Sequence, residues 1–150
     1  MRTLAIDYGG KRTGLAMSDE GGRFATPIDV LATDGSLVRN IAALARREAV
    51  ERVVIGLPMH MDGTAGSTLK QVLAFAAEVA SATALAPVFI DERLSSFEAE
   101  QQLIDHKRAG GKMTRKMKKE RLDALAAAAF LQAFLDGKLS AIDPADVPRR

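Results

Sequence analysis

The chain has 150 residues, enough for one domain with a single large core, since a protein of this size buries about 68–70% of its unfolded surface. It holds no cysteine, which excludes a disulfide framework and a thiolate metal site, and its formal net charge is only +2. Met1-Arg2-Thr3 runs straight into a strand-like segment, with no signal-peptide core and no apolar run long enough to span a membrane, so a soluble, cytoplasmic protein is expected.

Periodicity predicts three short strands first, near Thr3 to Asp7, Gly14 to Ser18 and Phe24 to Val30, joined by glycine-rich turns that suit antiparallel hairpins. The first strand ends at Asp7. Tyr8-Gly9-Gly10-Lys11-Arg12-Thr13-Gly14 then turns so tightly that backbone, cations and carboxylate converge at one strand end. Ser36 is the expected N-cap of an amphipathic helix from Leu37 to Ala49, whose apolar stripe is Leu37, Ile41, Leu44 and Ala45. Arg52-Val53-Val54-Ile55-Gly56 reads as a buried strand. After a loop from Leu57 to Gly66, Ser67 begins a long helix through Leu69, Val72, Leu73, Ala76, Ala77 and Ala80.

Pro87 to Asp91 is the last strand, and Ser95-Ser96-Phe97-Glu98 matches the capping box of a further helix. A basic loop leads into a final helix from about Lys119 to Leu135, stopped at Gly137. The domain is expected to occupy 1–137, and residues 138–150, with Pro144 and Pro148, to form a mobile tail. The element order gives an α/β fold: a five-stranded mixed sheet, three antiparallel N-terminal strands and two further parallel ones, flanked by helices. Ligands of such sheets sit at the carboxyl ends of the strands.

Charge is distributed unevenly. Eight cations and one acid between Lys107 and Arg121 make that segment +7, so the rest of the chain carries −5. A mobile basic loop beside carboxylates suggests capture of a polyanion such as nucleic acid; a solvated linker is the ordinary alternative.

Three acidic positions share an unusual context: Asp7 and the pair Asp91-Glu92 at strand ends, and Asp123 inside an apolar helix stripe with Ala126, Ala127, Phe130 and Phe134. Each alone has an ordinary reading, as a turn residue, an ion pair at a strand end, or a first-turn acid facing the helix dipole. Together they are what a divalent-metal phosphodiesterase needs, because hard oxygen ligands hold Mg2+ or Mn2+ against phosphate. His60 and His106 read as a polar loop residue and a solvated helix residue rather than ligands. Gly63 to Lys70 lacks the Gly-Lys-Ser/Thr ending of a phosphate loop and is rejected as one.

Asp7-Tyr8-Gly9 with Lys11-Arg12-Thr13-Gly14, Ala25-Thr26-Pro27, Gly56-Leu57-Pro58, Met61-Asp62-Gly63-Thr64, Asp91-Glu92-Arg93-Leu94-Ser95-Ser96 and Asp123-Ala124 resemble, in that order, the YqgF/RuvX family. The resemblance runs from about Leu4 to Leu135. That family consists of ribonuclease H-like proteins described as pre-16S rRNA nucleases or Holliday-junction resolvases. The resemblance therefore implies a ribonuclease H-like fold, a role in maturing the 5′ end of small-subunit ribosomal RNA, and Asp7, Glu92 and Asp123 as catalytic, metal-binding acids. Between Asp91 and Glu92 the residues alone leave the metal ligand open, and the resemblance favours Glu92. His60 stands where the family pattern has Asn.

The expected reaction is hydrolysis of a phosphodiester by two Mg2+ or Mn2+ ions, one activating water and the other stabilising the leaving 3′ oxygen. Lys11, Arg12 and Arg93 are expected at nearby phosphates, and Lys112, Arg115, Lys116, Lys118 and Lys119 on the flanking backbone. The expected partners are pre-rRNA or branched or single-stranded DNA, with no membrane; a homodimer is left open. Two other classes compete. The first hairpin also looks like the phosphate hairpin of actin-like ATPases, though one domain lacks their second lobe, and a nucleic-acid-binding protein without catalysis would carry the same basic segment.

Overall fold

The computed structural model describes residues 1–91 and 115–148, with side chains in the second stretch from Leu122 onward. Its strands are β1 (Thr3–Tyr8), β2 (Arg12–Ser18), β3 (Ala25–Ala32), β4 (Arg52–Leu57) and β5 (Val88–Asp91). Its helices are α1 (Leu37–Arg47), α2 (Leu69–Thr83) and α3 (Arg115–Leu135). One mixed sheet runs β3-β2-β1-β4-β5, antiparallel among the first three strands and parallel from β1 through β4 to β5. The five-stranded mixed sheet is thus as the sequence predicts. The capping-box helix expected after Ser95, and His106 within it, lie outside the described residues.

Side-chain alternation gives the sheet two unlike faces. Leu4, Ile6, Leu15, Val53, Ile55 and Leu57 pack against α1 and α2 in a core of large aliphatics. On the other face Ala5, Ala16 and Val54 join Ile90 beneath Ala127, Ala128, Phe130 and Leu131 of α3. Small residues on both sides let this helix lie close to the strands. Its C-terminal part is tied to β3 by Gln132, whose Oε1 accepts from Ala25 N and whose Nε2 donates to the Arg23 carbonyl, both at 2.9 Å.

The stripe Leu37, Ile41, Leu44 and Ala45 of α1 is buried as predicted, but Ser36 does not cap it through its side chain. The Ser36 amide and hydroxyl instead donate to Asp34 Oδ1 at 2.9 and 2.6 Å, and these bonds, the hydroxyl's first, hold the Asp34 carboxyl below the usual range. In α2 the buried face includes Phe75 and Val79, while Ala77 is exposed. Alanine fits either side of a helix, so the bulkier residues decide which face turns inward.

Two further expectations are corrected. The last helix begins at Arg115 rather than near Lys119, so Arg115 to Lys118 of the basic segment are helical rather than loop. Lys, Arg, Met and Glu are strong helix formers, and their charge does not disfavour a helix with one solvated side. Residues 138–148, expected as a mobile tail, lie against the domain: Val147 is only 4% exposed in the large core. The Ile142 amide donates to the Phe89 carbonyl at 2.7 Å, and the Ala65 amide to the Pro148 carbonyl at 2.8 Å. Two prolines signal a break in regular structure; they do not prevent apolar neighbours from docking.

Candidate active site

Asp7 is the next-to-last residue of β1 and pairs with Gly14 of β2. Because Ala5 lies under α3, alternation places the Asp7 side chain on that same face, level with the position where Gly14 has none. The reason for the glycine is steric. A Cβ at residue 14 would overlap the Asp123 carbonyl and lie 2.8 Å from the Ala124 amide, so α3 can cross β2 here only over bare backbone. That crossing delivers Asp123 to the face of Asp7.

Asp123 lies more than two turns into α3, so it is not there to complement the helix dipole. The Arg12 Nε donates to Asp123 Oδ2 at 2.9 Å, across 111 residues of sequence. β2 starts two residues earlier than predicted, so Arg12 is a strand residue, paired with Ala32 and facing the same way as Gly14 and Ala16. Both side chains are partly open to solvent, Arg12 at 37% and Asp123 at 28%.

The turn between β1 and β2 is held from the side by a residue that sequence reading passes over. The Thr33 hydroxyl donates to the Gly9 carbonyl at 2.7 Å and shares a 2.8 Å hydrogen bond with the Thr13 hydroxyl. The Thr33 amide donates to the Lys11 carbonyl at 3.0 Å. A Cβ on Gly9 would overlap the Arg12 carbonyl, so the turn admits no side chain there. Lys11 is left exposed at its tip. Nothing in the local pattern around Thr33 marks it; only the fold brings it to Gly9.

Below the turn, the Tyr8 ring stacks on Phe75 with centroids 4.2 Å apart, anchoring the end of β1 to α2. The loop after β4 closes through a Met59–Ala65 bridge. Within it the His60 amide donates to the Thr64 carbonyl at 2.8 Å and the His60 carbonyl accepts from the Gly63 amide at 2.9 Å. His60 is thus integrated into a hairpin-like loop through its backbone.

β5 ends on Asp91, the first of the two adjacent candidate acids. Ile90 is buried under α3, whereas Asp91 pairs with Leu57 and alternates to the face of α1 and α2, away from Asp7. Glu92, Arg93 and Lys112 lie outside the described residues. So do the side chains of Arg115, Lys116, Lys118 and Lys119, whose backbone belongs to α3. The structure therefore brings together Asp7, Asp123 and Arg12, with Lys11 on the adjoining turn. Among the described residues no group of three metal-ligating side chains forms. The oxygens of Asp7 and Asp123 are nevertheless the donors that hard divalent cations take. Also among the described residues, no helix is long and apolar enough to cross a membrane.

The chain matches the family profile described as "RuvX: Holliday junction resolvase" over residues 1–137. A protein of Anaeromyxobacter sp. (strain Fw109-5) named "Putative pre-16S rRNA nuclease" is 42% identical over 140 residues, 92% of this chain and 98% of that one. One of the same name from Pelotomaculum thermopropionicum is 36% identical over 141 residues, covering 92% and 88%. Among solved structures, Thermus thermophilus RuvC in complex with Holliday junction substrate superposes with a TM-score of 0.59 at 17% identity, over 95% of this chain and 100% of that one. Fowlpox virus resolvase in complex with its substrate Holliday junction DNA superposes at 0.53 and 11% identity, over 90% and 99%. Likeness at these identities is likeness of fold, and the fold is ribonuclease H-like.

Proposed function

The chain belongs to the RuvX family, and from that premise we propose that it is a divalent-metal-dependent endonuclease acting in the cytoplasm on the 5′ end of pre-16S rRNA. The observation that carries this reading is the crossing of α3 over Gly14, which sets Asp123 on the face of Asp7 at the carboxyl end of β1. Two carboxylates at that place suit a cation that must also meet phosphate oxygens.

Asp7 and Asp123 are the ligands proposed from the described face. Glu92 is preferred to Asp91 as the third, because Asp91 alternates to the face opposite that of Asp7. This donor set of carboxylate oxygens fits Mg2+ or Mn2+. When bound there, such ions activate the attacking water and stabilise the leaving 3′ oxygen. Lys11 and Arg12 neutralise phosphates beside the cleaved bond. Arg93, Lys112, Arg115, Lys116, Lys118 and Lys119 hold the flanking backbone, by charge and without reading sequence.

The second reading, resolution of a four-way DNA junction, is favoured by the family description and by the two resolvases of similar fold. A junction of two-fold symmetry requires two matched cuts, hence two copies of the chain, whereas trimming one RNA strand requires one. Purified protein should be assayed on a pre-16S 5′ precursor, single-stranded DNA and a four-way junction, in Mn2+ and in chelator, with Asp7→Asn as control. Mn2+-dependent RNA cleavage lost in Asp7→Asn supports the proposal. Preferential paired cutting of the junction favours the second reading, and binding without cleavage of any substrate sinks both.

A further inference from the structure

We infer that Arg12 is an exchangeable counter-ion: its guanidinium occupies Asp123 in the metal-free protein and is handed to substrate phosphate when Asp123 turns to a divalent ion. The inference rests on the nuclease reading above and adds to it a coupling between metal and nucleic-acid binding.

The geometry points this way for three reasons. The 2.9 Å bond from Arg12 Nε engages the same carboxylate that would serve the cation, and a divalent ion that draws on this carboxylate's charge repels the guanidinium and weakens its bond to Oδ2. The pair is 37% and 28% exposed, so it can exchange without opening the core, and ion pairs so exposed hold weakly. Finally, the Arg12 backbone is fixed by its pairing with Ala32 and by the turn that Thr33 pins, leaving only the long side chain to move. Once released, the planar fork can grip a phosphate by two parallel bonds from the rim of the same site.

Lys11 supplies the contrast. It stands exposed on the adjoining turn and forms no ion pair among the described residues, so its charge is available to nucleic acid at all times. Arg12 is available only conditionally. Since coupling between two ligands is reciprocal, nucleic acid that captures Arg12 should in turn clear Asp123 for metal.

Calorimetric titration of Mn2+ into wild type, Arg12→Gln, Arg12→Lys and Asp123→Asn, without nucleic acid, tests this. Arg12→Gln should bind Mn2+ about two- to fivefold more tightly than wild type, the range expected from losing a partly exposed competing pair. A residue that merely braces the site would give the opposite sign. Arg12→Lys should shift the same way by less, and carries the test should the Gln variant fail to fold.

In a second arm, a fluorescein-labelled single-stranded RNA is bound in Ca2+ and in chelator. The gain in affinity from Ca2+ should fall at least about threefold in Arg12→Gln, while Lys11→Gln should weaken binding equally with and without the ion. Mn2+ binding by both Arg12 variants that is equal to or weaker than wild type, with Asp123→Asn impaired, overturns this inference alone. Wild type that binds no Mn2+, or Asp123→Asn that binds it normally, overturns the metal-site reading as well.

Discussion

Gly14 and the backbone of Asp123 touch so closely that residue 14 can carry no side chain at all. Most of what positions the candidate site follows from that contact, because it fixes how deep the last helix sits on the first hairpin and thus where its carboxylate emerges.

Gly14→Ala should therefore act as a local wedge. The methyl group meets helix backbone, which cannot rotate away, so the expected cost is about 1–3 kcal/mol in urea unfolding, with cleavage reduced more than the loss of folded protein accounts for. Gly10→Ala is the control, since no atom lies within 4 Å of its would-be Cβ and its φ is not positive. Equal stability of the two variants would refute the close-approach account.

Asp7→Asn should preserve the fold and abolish cleavage by at least about a hundredfold, on the scale at which groups stabilising developing charge act. The shapes of the two side chains are nearly the same, so far-UV circular dichroism should not change. Wild-type turnover by a preparation free of contaminating nuclease would remove Asp7 from the site.

Metal should raise the melting temperature through binding to the native state. At Mn2+ one hundred times its dissociation constant the gain is about 2.7 kcal/mol, or about 5–10 °C for a domain of this length. Asp123→Asn and Glu92→Gln should remove most of that rise. Scanning calorimetry showing the full rise in both variants would place the ligands elsewhere.

Replacing Lys112, Arg115, Lys116 and Lys118 together with Gln should weaken nucleic-acid binding most at low salt. If about four of the segment's cations reach phosphates, they contribute roughly −3 to the logarithmic salt slope on a single strand, and the variant's slope should be correspondingly shallower. Single-turnover cleavage at saturating protein should stay within about tenfold. An unchanged slope would mean that another surface holds the backbone.

Ending the chain after Gly137 tests the docked segment. It removes Val147 from the core together with the bonds to Phe89 and Ala65, and burying one such aliphatic contributes about 1.5–3 kcal/mol. The truncated protein should melt several degrees lower. Undiminished stability would restore the expectation of a loose tail.

The five-stranded mixed sheet and the inward stripe of α1 were legible because each rests on local periodicity: Leu4 and Ile6 alternate with Ala5, and Leu37, Ile41 and Leu44 fall on one helical side. The face of α2 was less so, since its alanines carry no directional signal and Phe75 and Val79 decide it. Arg115 to Lys118 looked like loop because charge was read as solvation. Candidate acids could be named from context, but the Arg12–Asp123 pair and the reach of Thr33 to Gly9 depend on chain segments that meet only in three dimensions.

Arg12 and Asp123 are 111 residues apart, and the helix that closes the site is made after all five strands. At translation rates of about 5–20 residues per second, about 6–22 s pass between synthesis of the first hairpin and arrival of Asp123. Throughout that interval Ala5 and Ala16 lack their cover from α3, and Asp123 is not yet available on the face of Asp7. A nuclease built this way acquires its capacity to cut only when α3 settles over the first strands.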